Sequence, residues 1–112
     1  MLNRYQIIDS LSKLSRESQV WKVVFEIAKS SRKRMAVVNV GKIELLSKEG
    51  MPILVPGKVL GAGRLRKKVI VGAFDFSATA RKKIISAGGE ALYIEEFATR
   101  YRQGSGVLFV GG

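Results

Sequence analysis

The chain has 112 residues, with 20 lysines and arginines against nine acidic residues and a formal net charge of +11. That excess goes beyond the magnitude of about 2 to 8 that keeps a small domain soluble, and it points to a polyanionic partner. The absence of cysteine and histidine excludes disulfides, zinc ribbons, thiolate nucleophiles and Ser-His-Asp hydrolysis. A hydrophobic content of 46% places the charge on a folded scaffold, because disordered basic tails are poor in apolar residues. The length predicts one domain over 1–112, with a mainly helical part at 1–50 and an α/β core carrying a glycine-rich turn at 51–112. No stretch has the ~18 consecutive apolar residues of a membrane span. The first 14 residues lack the order of a signal peptide, so the chain is expected to be complete and cytosolic, with no membrane partner.

In chain order, Tyr5, Ile8, Leu11 and Leu14 recur at steps of three and predict an amphipathic packing helix. After the polar run 15–19, a second helix is predicted with Ser18 as N-cap and Val20, Trp21, Val24, Phe25, Ile27 and Ala28 along it. Trp21 has apolar neighbours at helical spacing and reads as a core residue more than as a base-stacking one. Residues 30–34, S-S-R-K-R, form a cationic loop in which adjacent like charges repel unless an anion is near; Arg32, Lys33 and Arg34 are candidate phosphate contacts. The next residues, 35–40, are apolar apart from Asn39, which is expected to cap a short helix with Lys42, Ile43, Leu46 and Ser47 that ends at Gly50.

Residues 51–55, bounded by Pro52 and Pro56, read as an edge or terminal strand. Over 55–73 the chain runs V-P-G-K-V-L-G-A-G-R-L-R-K-K-V-I-V-G-A. Gly57, Gly61 and Gly63 are expected to form a tight turn between two apolar runs, with Arg64, Arg66, Lys67 and Lys68 directly after it. The run 68–76 is β-branched and aromatic and predicts the strongest strand. Ser77 is placed to cap a helix whose Ala80, Ile84 and Ala87 face the core and which Gly88 closes. Its consecutive Arg81, Lys82 and Lys83 point in several directions, so at most two can meet one strand of phosphates. A strand at 90–94, a short helix with Phe97 at 95–101 and a last strand at 106–110 complete an alternation that predicts α/β layers and leaves the strand order open. The bend at 50–63 is the one candidate hinge.

Charge is unevenly spread: ten basic against five acidic residues over 1–50, eight against one over 57–83, and two against three over 84–112. One face is therefore expected to press on phosphate, with the C-terminal quarter turned away or used to close the fold.

The residues N-V-G-K-I at 39–43, V-P-G-K-V-L-G-A-G at 55–63, F-D-F-S-A-T-A-R-K-K-I at 74–84 and A-G-G at 87–89 occur in an order that resembles the archaeal and eukaryotic large-subunit ribosomal protein eighteen family. That family is in turn similar to bacterial-type ribosomal protein fifteen. The resemblance covers nearly the whole chain, and the short length looks archaeal. It implies a structural constituent of the large ribosomal subunit in the cytoplasm that binds and stabilises the large-subunit ribosomal RNA beside neighbouring ribosomal proteins. No enzymatic activity, cofactor, metal or small-molecule substrate is implied. The implied fold is α/β, with N-terminal helices followed by an irregular superhelix of β-β-α units. The shared motifs contain Lys42, Lys58 and the Gly57, Gly61, Gly63 turn, and Arg32 to Arg34 lie in a similar basic segment. Arg64, Arg66 and Lys67 depart from many relatives, where acidic or neutral residues often stand; they contact RNA, bind a neighbour or serve a local requirement. With Lys68, Arg81 and Lys82 these residues make up the candidate RNA-binding set.

The expected mechanism is electrostatic. Cations displace counterions from RNA while the glycine turn lets backbone amides reach phosphate or ribose, and recognition is mainly of shape. Segments 30–34 and 61–68 are expected to be mobile until RNA is bound. A free-standing DNA-compacting protein or RNA chaperone would share the charge. A nucleotide-binding enzyme is disfavoured because the glycines fall as G-x-x-x-G-x-G, neither a Walker nor a dinucleotide pattern, and Asp75 and Glu90 have no acid/base spacing.

Overall fold

A computed structural model describes residues 4–16, 18–29, 35–104 and 106–111. Two apolar runs form its centre: β2 (Pro52–Leu60) and β3 (Ile70–Phe76) pair in parallel. β1 (Ala36–Asn39) pairs with the second half of β2, β5 (Leu108–Phe109) with its first half, and β4 (Glu90–Tyr93) with β3. Every pairing is parallel, and the path through the sheet is β1-β2-β3-β4. Parallel strands covered on both faces read as nearly continuous apolar sequence, which is why 53–55 and 69–73 lack the alternation of a half-exposed strand.

Helices cover both faces. On one, α3 (Val40–Leu46) and α4 (Ala78–Ser86) bury Val40, Ile43, Ala80 and Ile84 against Ile53, Val55, Val71, Ala73 and Phe76. On the other, α1 (Arg4–Leu14), α2 (Gln19–Lys29) and α5 (Ile94–Arg100) bring Leu11, Trp21, Val24, Phe97 and Ala98 onto Leu54 and Leu92. Gly72 makes room for α5, because a Cβ there would lie 2.3 Å from the Phe97 ring. The expected stripe of α1 holds at Leu11, which is buried, and at Ile8, which packs on the same cluster. The side chains of Tyr5 and Leu14 lie outside the described residues. Trp21 is a core residue as expected: fully buried, edge-on to Phe97 with ring centroids 6.2 Å apart, and donating from Nε1 to the Tyr101 carbonyl at 3.0 Å.

The caps follow the sequence in part. Ser18 accepts from the Val20 N–H at 3.2 Å and Ser77 from the Ala80 N–H at 3.1 Å, while Gly88 closes α4 with φ +85°. Ala87 is only half-buried at the C-cap. Asn39 precedes α3 but makes no cap bond; its side chain reaches across to the Ala62 N–H. The helix stops at Leu46, and Gly50, with φ +78°, instead turns the chain into β2.

The largest correction concerns 51–63. Neither an edge strand nor a hinge occupies it, since β2 runs unbroken from Pro52 to Leu60 with neighbours on both sides. Pro56 is accommodated because the β2–β3 register shifts between Val55 and Lys58, and a bulge is where a missing N–H is tolerated. Gly57 is thus a strand residue, outside the turn: a Cβ on it would stand 1.8 Å from the Ala36 carbonyl oxygen of β1.

Candidate nucleic-acid interface

Parallel neighbours need a long crossover, usually a helix. Between β2 and β3 the chain instead crosses through the helix-free segment 61–69, which is held between α3 and α4. At its start, Gly63 adopts φ +92° and approaches α3 so closely that a Cβ would lie 2.7 Å from the Gly41 Cα. The Gly41 N–H donates to the Ala62 carbonyl at 3.0 Å, and the Ala62 N–H donates to Asn39 Oδ1 at 3.0 Å. From α4, the Lys83 ammonium donates to the carbonyls of Gly61 at 2.6 Å and Gly63 at 2.8 Å. From α3, Glu44 Oε1 accepts the N–H groups of Arg66 and Lys67, both at 3.1 Å. Lys67 Nζ returns to the carbonyls of Glu44 and Ser47, both at 2.7 Å, and the Lys68 N–H donates to Glu49 Oε2 at 3.1 Å. In place of the expected loose loop there is a fastened one, and its amides at 62, 66, 67 and 68 are occupied by protein acceptors.

The Arg66 N–H, then the Lys67 N–H and the charges of Lys67 and Arg66, outweigh desolvation and hold the Glu44 carboxyl below its ordinary pKa. A depressed carboxylate pKa stabilises the fold above the unfolded-state value and loses that contribution as the pH falls through the folded one. The amide resonances of Arg66 and Lys67 are therefore expected to stay constant near neutrality and to move together only on acidification below the ordinary glutamate range. In Glu44→Gln that titration should vanish, and its persistence would show that Glu44 does not hold the segment.

The candidate residues separate into two groups. Gly57 and Gly61 serve packing, the second because a Cβ would meet the Thr79 side chain at 2.6 Å. Lys67 is engaged inside the protein, a local requirement. Lys58 faces Asp75 of β3 at 3.7 Å, both exposed, and Lys42 donates to the Gly111 carbonyl at 2.8 Å. The Arg81 guanidinium lies 5.3 Å from the Phe76 ring centroid and 5.1 Å from that of Tyr93, within cation–π range of both. Among the described residues, the side chains of Arg64, Arg66, Lys68 and Lys82 are exposed and have neither hydrogen bond nor ion pair. Arg66 and Lys82 come together on one open groove between the crossover and α4. Arg32, Lys33 and Arg34 lie outside the described residues. No helix is long and apolar enough to cross a membrane, and no three acidic side chains gather into a metal site among the described residues.

The stretch that builds this surface also carries the likeness to known proteins. The model of a family described as the ribosomal proteins 50S-L15 and 50S-L18e with their 60S counterpart matches residues 18–92, from the cap of α2 through most of β4. The chain belongs to this family. It is a family of ribosomal proteins and not of enzymes. The large ribosomal subunit protein eL18 of Pyrobaculum aerophilum is 45% identical over 93 residues, covering 83% of this chain and 76% of the relative. The protein of the same name from Thermoplasma acidophilum is 41% identical over 104 residues, with 91% and 87% covered. That from Methanococcus maripaludis is 45% identical over 106 residues, with 89% and 88% covered.

Three residues of this family member escaped the sequence reading as parts of the surface: Asn39, Glu44 and Lys83. None of them has a local signature, since the bonds they make to the crossover span 20 to 23 residues. Lys83 was visible only as one cation in a band of three.

Proposed function

We infer that the chain is a structural constituent of the large ribosomal subunit, where it binds and stabilises the large-subunit RNA beside neighbouring ribosomal proteins. The observation that carries this reading is family membership over most of a chain in which Arg64, Arg66, Lys68 and Lys82, without protein partners, lie on the fastened crossover and α4. The ribosome in the cytoplasm is its place, and the 112 residues act as one unit. With the crossover amides at 62, 66, 67 and 68 already satisfied, phosphate is met mainly by the side chains of Arg64, Arg66, Lys68 and Lys82, and recognition is of RNA shape and charge. Lys58, Lys42 and Arg81 contribute by exchanging or extending the contacts they already make, and Arg32, Lys33 and Arg34 supply a second cationic segment.

Sedimentation of a lysate through a density gradient, with this chain followed by mass spectrometry, tests the reading. Stoichiometric migration with the large subunit at moderate salt is expected. A chain that spreads over DNA or stays at the top of the gradient is a free-standing nucleic-acid binder or something else. On purified RNA, Arg64→Ala with Arg66→Ala is expected to flatten the log–log salt dependence of affinity by about 1.4 to 1.8, the value of two phosphate contacts. An unchanged slope would remove both from the contact set.

A further inference from the structure

The groove between the crossover and α4 is open and has a volume of about 620 Å³, which is room enough for a group of nucleotide size. Its walls are in part hydrocarbon: Leu65, which packs on the core, Ala87 at the end of α4, and Thr79. Arg66 and Lys82 stand on it without protein partners, and Lys83 adds charge while its ammonium is held by the carbonyls of Gly61 and Gly63. The backbone of an RNA duplex is a ridge of phosphates, which point charges on a flat surface are enough to meet. Such a ridge leaves an aliphatic recess unfilled. An unpaired nucleotide uses both halves of the site, because its phosphate suits the two cations and its ribose and base gain from leaving water against hydrocarbon. The planar Arg66 guanidinium can also lie along a base face. The site is preformed, since Glu44 and Lys83 fasten the crossover from either side, so little ordering cost is met on binding.

We propose that this groove seats a single unpaired nucleotide of RNA, with its phosphate on Arg66 and Lys82 and its base against Leu65 and Ala87. The proposal rests on the RNA-binding reading above and makes it specific to one site.

The test is methyl NMR of the full chain at low salt with two probes used separately, single-stranded RNA hexamers of mixed sequence and a blunt RNA duplex. The Leu65 and Ala87 methyl resonances are expected to move with the single strand, through the ring current of a seated base, and to stay still with the duplex. Arg66→Ala with Lys82→Ala should weaken the single strand at least about tenfold and the duplex less than about threefold, since two phosphate contacts are a small share of a diffuse duplex footprint. Neither side chain has a protein partner, so matching amide spectra should show an intact fold, and the methyl readout of the unaltered chain needs no variant. Equal methyl shifts with both probes, or none with either, overturn the proposal. If the chain sediments with the large subunit while the methyls stay silent, only the groove is misassigned. If the methyls respond while the chain is absent from the subunit, the ribosomal reading fails and the single-strand site stands.

Discussion

Gly57→Ala is expected to destabilise the protein by about 3 kcal/mol, the upper end of ordinary overpacking, and to lower the melting temperature by roughly 10 °C. The new Cβ would stand 1.8 Å from the Ala36 oxygen and 2.6 Å from the Ala36 carbon and nitrogen, all backbone atoms of the adjoining strand. A flexible side chain could swing away from such a contact, but a strand in register cannot do so without breaking the β1–β2 ladder. Thermal unfolding followed by circular dichroism checks this, with Gly106→Ala as a comparison in which no heavy atom lies within 4 Å. Because φ at Gly106 is +73°, the comparison carries only the backbone cost of alanine in the left-handed region, of order 1–2 kcal/mol. If Gly57→Ala melted normally and lost RNA binding, Gly57 would belong to the RNA contact after all.

Trp21→Ala is expected to cost about 3–5 kcal/mol, as for other large aromatic truncations in a core. The indole is fully buried among Leu11, Val24, Phe97 and Tyr101, and its removal leaves a cavity and takes one of two donors from the Tyr101 carbonyl, which keeps the Gly104 N–H at 3.0 Å. Against a total stability of about 5–15 kcal/mol this brings the fold near its threshold. Urea titration should show the midpoint falling sharply, with Trp21→Phe losing distinctly less because most of the packing volume remains. A small loss in Trp21→Ala together with weakened RNA binding would reverse the assignment and make the tryptophan a base-stacking residue.

Much of the fold was legible because its causes are local. The spacing of Leu11 and Ile8, the Ser18 and Ser77 caps, the Gly88 terminus and the β-branched run of β3 each express a preference set within a few residues. The passage around Gly57 misled because glycine is read locally as a turn residue, whereas here it answers a neighbour in another strand. Pro56 misled in the same way, since only pairing on both sides of β2 and the register shift at Val55 and Lys58 show how a proline fits inside a central strand.

By itself the sequence determined that the chain is basic, without cysteine or histidine, built of α/β layers with a core tryptophan, and a member of a ribosomal protein family. Those properties follow from composition, short-range periodicity and ordered motifs. Only the tertiary structure decided which cations remain without a protein partner. Lys67 and Lys83 look like their neighbours along the chain, yet the carbonyls that hold them, and the Glu44 carboxylate that fixes the segment between, stand 20 to 23 residues away. Such partners meet only once the parallel sheet has brought α3, α4 and the crossover to one face.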